Sequence, residues 1–108
     1  MNREEKMNIL KELPGVSEEI YDTLVHDLIE QTRERIPEFR QEISVKNFLR
    51  VKELAHYIKG CAGSLRVTAI FEITKSIQSI AESSCDAQHI TDLLAQLERN
   101  IKELEKSI

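Results

Sequence analysis

Glu53-Leu54-Ala55-His56-Tyr57-Ile58-Lys59-Gly60-Cys61-Ala62-Gly63-Ser64-Leu65 reads as helix, yet it holds two of the chain's three glycines. Ala55, Ile58, Ala62 and Leu65 recur in steps of three and four, the spacing of one buried helical face. His56, Gly60 and Gly63 follow one another at i, i+4 and i+7 on another face, with Lys59 at i+3 from the histidine. Lys52 and Leu49 continue that face toward the N-terminus. A glycine inside a helix costs about 1 kcal/mol against alanine. Two of them need a reason: the helix ends early, the glycines permit close helix packing, or something approaches this surface.

Outward from this stretch the periodicity stays helical. Phe48 and Val51 extend its apolar stripe back, so the helix spans about 46–64. The pattern shifts phase between Leu65 and Val67. A further helix follows over about 67–83, with Ile70, Ile73, Ile77 and Ile80 inward. Ser83-Ser84-Cys85-Asp86 is a polar break. The last helix covers about 87–107, where Ile90, Leu94, Leu97, Ile101, Leu104 and Ile108 alternate in steps of four and three, flanked by Leu93. Its repeat lasts under three heptads, short for an intermolecular coiled coil. Upstream of Ser44-Val45-Lys46-Asn47, a long helix over about 18–43 buries Ile20, Leu24, Leu28, Ile36, Phe39 and Ile43, with Tyr21, Val25 and Ile29 beside them. Ser17 caps it, and Glu18-Glu19 occupy its first turn. Pro37 removes a hydrogen bond and predicts a bend near Arg33–Arg35, or a split. Met7, Leu10 and Leu13 mark a short first helix over 3–13, stopped by Pro14-Gly15.

The fold class expected is therefore all-α: an antiparallel up-and-down four-helix bundle with a short extra N-terminal helix. One domain over 1–108 is expected, with 1–16 as N-terminal helix and turn and 17–108 as the bundle. A chain of 108 residues can bury a core without metal or disulfide support. Hydrophobic residues at 41% and charged residues at 31% exclude a disordered chain. Net charge is −4 and the bases are scattered among acids, which argues against nucleic-acid binding. No apolar run approaches the roughly 20 residues that span a bilayer, and the N-terminus lacks a signal-peptide core. No membrane insertion and a cytoplasmic location are expected. Cys61 and Cys85 form no CxxC motif and read as small, buried, reduced cysteines. The Met1 start and the end just after the last helix favour a free-standing protein.

On the third helix His56 points away from the apolar stripe, beside a turn cleared of side chains and near an ammonium group. That arrangement suits nucleophilic chemistry. An imidazole has a reference pKa of about 6.5, so near neutrality it is largely uncharged and can attack phosphorus without a separate base. Phosphoryl transfer depends on positioning and charge neutralisation. Lys59 can stabilise phosphoryl oxygens as a point charge, and Gly60 leaves room for the group and for a partner. No cluster of carboxylates and histidines has metal-ligand spacing. His26 and His89 read as solvated surface. Glu98, Arg99, Lys102, Glu103 and Lys106 read as a solvated face with i,i+4 pairs.

Ala55-His56-Tyr57-Ile58-Lys59-Gly60-Cys61-Ala62-Gly63-Ser64-Leu65 resembles the phospho-acceptor motif of histidine-containing phosphotransfer (HPt) domains, roughly A-H-x-[LI]-K-G-x-[AS]-[GA]-x-[LIV]-G. The likeness covers about 20–100 and includes Ile36-Pro37-Glu38-Phe39 in the preceding long helix. The resemblance implies a monomeric bundle that passes phosphoryl groups between aspartates of receiver domains in response regulators or hybrid kinases. His56 would be phosphorylated, Lys59 would contact the phosphoryl group, and Gly60 would supply clearance. A glutamine on the following helix, matching Gln78, would hydrogen-bond the imidazole. No cofactor of its own is implied, and Mg²⁺ is expected on the receiver. HPt domains do not autophosphorylate, so the chain is not expected to be an enzyme. Arg66 stands where the family has glycine, at a joint that often needs a left-handed conformation, so a differently made joint is expected. Leu49, Tyr57 and side chains of the long helix are the candidate apolar docking fringe. The alternatives are a non-catalytic helical adaptor with its histidine unused, or a dimerisation module pairing through residues 90–108.

Overall fold

The computed structural model describes residues 1–108. Its elements are α1 (Arg3–Glu12), α2 (Glu18–Ser44), α3 (Phe48–Ser64), α4 (Thr68–Glu82) and α5 (Ala87–Ser107). α2 packs on α3 and α5, and α4 packs on α3 and α5, so the four long helices close a ring in chain order. Short joints between neighbours make the ring an up-and-down bundle. The all-helical class and the short N-terminal helix expected from the sequence are what the structure has.

Polar caps start most of the helices. The Asn2, Ser17, Asn47 and Asp86 side chains accept from the backbone N–H of Glu5, Ile20, Arg50 and His89, satisfying donors that lack intrahelical partners. Left-handed residues close the joints: Gly15 (φ 86°), Lys46 (φ 58°), Arg66 (φ 60°) and Cys85 (φ 52°). At the end of α3 the Val67 N–H donates to Ala62 O at 2.9 Å and the Arg66 N–H to Gly63 O at 3.2 Å, the Schellman pairing. The joint is thus made in the left-handed way, and the expectation of a different joint at Arg66 is corrected. A non-glycine residue pays about 1 kcal/mol or more there. The Arg66 guanidinium offsets it by donating to Gly63 O, Ser64 O and Glu12 Oε2 at 3.1, 3.2 and 3.2 Å.

Two core faces differ from the sequence reading. In α2 the buried row is Tyr21, Val25, Leu28, Ile29, Thr32, Ile36, Phe39 and Ile43, whereas Ile20 and Leu24 are 52% and 39% exposed. Two apolar rows run side by side over these turns, and only one can face the centre. The row that does carries the Tyr21 hydroxyl, which donates to Leu65 O at 2.6 Å and ties α2 to the end of α3. In α4 the buried positions are Ile70, Thr74, Ile77 and Ala81, with Ile73 and Ile80 only half-buried. Small side chains there let α4 lie close to α3. Leu54 joins the α3 core, and Phe48 and Leu65 sit at its rim. α2 runs unbroken through Pro37, so the split does not occur. Pro37 is on the exposed side, where water can take the Arg33 carbonyl it leaves unpaired. The stripe of α5 is buried within the bundle from Ile90 to Leu104. Glu98 pairs with Arg40 and Glu105 with Arg33 of α2, at 3.0 Å for the latter, in place of pairs along α5 itself. Cys61 is half-buried and Cys85 exposed, which corrects the expectation that both are buried.

α1 lies against the bundle end. Lys6 is buried between Asp22 (2.9 Å) and Glu18 (3.5 Å), and Arg3 also reaches Glu18 at 2.9 Å.

Candidate functional site

α3 and α4 form a hairpin about Arg66. Counted out equally from that residue, Ala62, Ile58, Ala55 and Val51 come level with Ile70, Thr74, Ile77 and Ala81, and all eight are buried. One residue further on in each helix runs a second, outer series. Its first rung is a direct approach: a Cβ built on Gly63 would meet Phe71 Cδ2 at 3.2 Å. The same register, stepped along both helices in threes and fours, brings Lys59 level with Lys75, His56 with Gln78, and Lys52 with Glu82. Advancing one residue turns each helix by 100°, and in antiparallel neighbours the two turns go to the same side. The outer series therefore lines the groove on the outside of the α3–α4 seam.

His56 is exposed in this groove, as is Gly60, and Lys59 is half-buried. A Cβ on Gly60 would meet nothing within 4 Å. The two glycines thus have different reasons. Space is open beside Gly60, while Gly63 admits the Phe71 ring, so Gly63 serves close packing on α4. None of the protein's ion pairs uses Lys52, Lys59 or Lys75.

Gln78 does not hydrogen-bond the imidazole. Its Nε2 donates to Glu82 Oε1 at 3.1 Å, and its Oε1 is buried with no donor. A sealed acceptor without a partner costs about 1–3 kcal/mol. That oxygen belongs to the residue level with His56.

The neighbouring α2–α3 seam is built otherwise. Arg50 donates to Glu38 at 2.8 Å and Tyr57 OH to Gln31 Oε1 at 3.2 Å. The large exposed apolar residues are Ile20 and Leu24 of α2, Val45 at its end, and Leu49 (65% exposed) and Tyr57 (53% exposed) of α3. Tyr57 borders this seam through Gln31, and Leu49, two turns before His56, shares the histidine's face. Leu49 and Tyr57 are the fringe expected from the sequence. Ile20 and Leu24, expected in the core, are exposed instead. The row Tyr21, Val25, Leu28, Thr32, which continues unbroken to Ile43, is the signal that would have freed them. Lys75 also escaped the sequence reading, because its neighbours across the groove depend on the hairpin register.

The family model described as Hpt domain matches residues 23–107. The searches of curated proteins and of solved structures give no match.

Proposed function

The chain belongs to the Hpt domain family, and on that premise we propose that it carries phosphoryl groups in a phosphorelay, accepting them on His56 from a receiver-domain aspartate and passing them to another receiver. Hpt domains are phosphocarrier modules. One observation supports the reading most: His56 stands exposed in a groove whose lysines have no carboxylate partners and whose adjacent turn, at Gly60, is open.

A ring nitrogen of neutral His56 donates its lone pair to the phosphorus of the receiver's acyl phosphate. The P–N bond forms as the P–O bond breaks, and the aspartate carboxylate leaves with the electron pair. The proton on the other ring nitrogen stays, so the phosphorylated ring is cationic and its N–H needs an acceptor. Gln78 Oε1, buried and without a donor in the unmodified chain, is suited to that task. Lys59 offsets charge on the phosphoryl oxygens. Mg²⁺ belongs to the receiver. Return transfer is the reverse displacement by the next aspartate. Ile20, Leu24, Leu49 and Tyr57 supply apolar anchors for transient docking of the receiver.

Incubation with a phosphorylated receiver domain tests this. Label should pass to the protein in an acid-labile, alkali-stable form. His56→Gln should abolish uptake, whereas His26→Gln and His89→Gln should retain it. Label that survives His56→Gln overturns the assignment. Receiver binding without any transfer would favour a helical adaptor.

A further inference from the structure

We propose that Lys75 of α4 is a second phosphoryl-binding residue of the His56 groove, opposing Lys59 so that two ammonium groups from different helices hold the same anion. The inference rests on the carrier reading for its biological anion and on the hairpin register for its geometry.

The register that follows from the Gly63–Phe71 approach sets Lys59 and Lys75 on one rung. That rung lies one turn from the rung of His56 and Gln78. Residues three or four apart on a helix have Cβ atoms about 5–6 Å apart, so Lys59 begins one turn from the reactive ring, while Lys75 begins one turn from Gln78 and reaches the ring from across the seam. Long flexible stems let each ammonium reach along the groove.

Charge makes the pairing informative. Like charges brought level across a helix pair repel one another, and a protein normally relieves this with carboxylates. The bundle does so elsewhere: Arg33, Arg40 and Arg50 each meet a glutamate of another helix. Here Glu72 lies one turn from Lys75 on α4 yet forms no ion pair with it, and Glu82 receives the Gln78 amide. Lys52, Lys59 and Lys75 stay unpaired in a chain of net charge −4. Lysines without an ion pair are the rule in this chain, where Lys6 alone has one. What marks these three is their placement along one groove with an exposed histidine, where an anion on the ring would meet them. A phosphoryl group on His56, with close to two negative charges near neutral pH, supplies it, and one lysine alone would leave about half that charge unmatched.

The transfer step itself is unchanged: P–N forms, P–O breaks, and the carboxylate leaves with the electrons. Lys75 exchanges no proton and forms no bond. It lowers the energy of charge that builds on the three phosphoryl oxygens in flight.

The test uses the full chain phosphorylated on His56 in two ways, by phosphoramidate alone and by a phosphorylated receiver. On the phosphoramidate-labelled protein, ³¹P NMR follows the last ionisation of the phosphoryl group. Neighbouring cations favour the dianion, so Lys75→Ala should raise its midpoint by a few tenths of a pH unit. Lys75→Arg should restore it, and the remote Lys102→Ala should leave it unmoved. With saturating phosphorylated receiver, Lys75→Ala should slow transfer about tenfold, with little change in the half-saturating receiver concentration. A Lys75→Ala protein with the parent's midpoint and transfer rate overturns the proposal. So does a Lys75→Ala effect that Lys75→Arg fails to rescue, or one that Lys102→Ala reproduces. If the midpoint moves as expected while no receiver donates label to the parent protein, the anion site stands and the carrier reading falls.

Discussion

The inner and outer series of the α3–α4 hairpin use the same two helices one residue apart, and they are built on opposite rules. Inside, Ala62 is level with Ile70, Ile58 with Thr74, Ala55 with Ile77 and Val51 with Ala81. These buried pairs mostly set a small side chain against a larger one, which lets the helices lie close. Outside, Gly63, Lys59, His56 and Lys52 are level with Phe71, Lys75, Gln78 and Glu82. There packing is given up after the first rung in favour of open space, unpaired cations and an acceptor without a donor. A buried inner series carries a chemically exposed outer one. Close helix packing sets the geometry of the site, and the site contributes little to the packing.

The largest break in this division should come from the inner series. Ile77 is fully buried level with Ala55, one residue before Gln78. Ile77→Ala removes core volume that small neighbours cannot refill, and it should cost about 2–5 kcal/mol in denaturant unfolding. Phosphoramidate labelling of His56, normalised to folded protein, should stay within about twofold of the parent. A collapse of labelling in fully folded Ile77→Ala protein would mean the two series are not separable.

How much of this could be read from residues alone follows the same division. The last helix was legible because Ile90, Leu94, Leu97, Ile101 and Leu104 form one apolar row with polar residues on its far side. The caps at Ser17 and the stop at Pro14-Gly15 were legible because local chemistry dictates them. α2 and α4 were read out of phase where two apolar rows adjoin, Ile20 and Leu24 beside Tyr21 and Val25, Ile73 and Ile80 beside Thr74 and Ala81. Periodicity cannot choose between such rows; the neighbouring helix does. The motif around His56 was visible, but the distinct reasons for Gly60 and Gly63 were not, because the Phe71 ring that separates them lies on another helix. Lys75 was silent for the same reason. Arg66 looked like a departure in backbone geometry. It proved to be a substitution of means, since the left-handed joint is kept and the guanidinium binds the carbonyls that end α3.

Where both series end, Tyr21 ties α2 to the end of α3. Its hydroxyl donates to Leu65 O, the cap of α3, across from α2. Tyr21→Phe leaves that carbonyl without its donor and should cost about 1–3 kcal/mol at neutral pH. Burial, reinforced by the Asp22 charge and opposed by Arg66, pushes the phenol up to about 12. The unfolded chain ionises its tyrosine near pH 10, so the folded state holds the proton more tightly. This contribution is therefore full below about pH 10 and is lost as pH climbs toward about 12. Alkaline denaturation followed by circular dichroism should be shallower in Tyr21→Phe than in the parent over that window. Parallel curves would show that the Tyr21 proton does not hold the α3 end.

The smallest effects make the sharpest comparison, because Gly60 and Gly63 stand one turn apart on one helix and differ only in what faces them. Alanine at either position gains about 0.5–1 kcal/mol of helical preference. At Gly60 nothing opposes it, since no side chain or neighbouring helix comes within 4 Å of the new methyl. Gly60→Ala should therefore stabilise the fold by about that amount. At Gly63 the methyl meets Phe71 at 3.2 and 3.4 Å. The half-buried ring must yield a few tenths of an ångström, and the gain should be largely cancelled, leaving a change of less than about 0.5 kcal/mol. Transfer should follow the opposite order. Gly60→Ala narrows the approach of a receiver to His56 and should slow receiver-driven uptake while phosphoramidate labelling continues. Gly63→Ala, facing α4, should leave both reactions as they are. Equal stabilisation by the two alanines would mean that Phe71 swings clear at no cost. The first rung of the outer series would then be as loose as the open space beside His56, and the register drawn from it would lose its anchor.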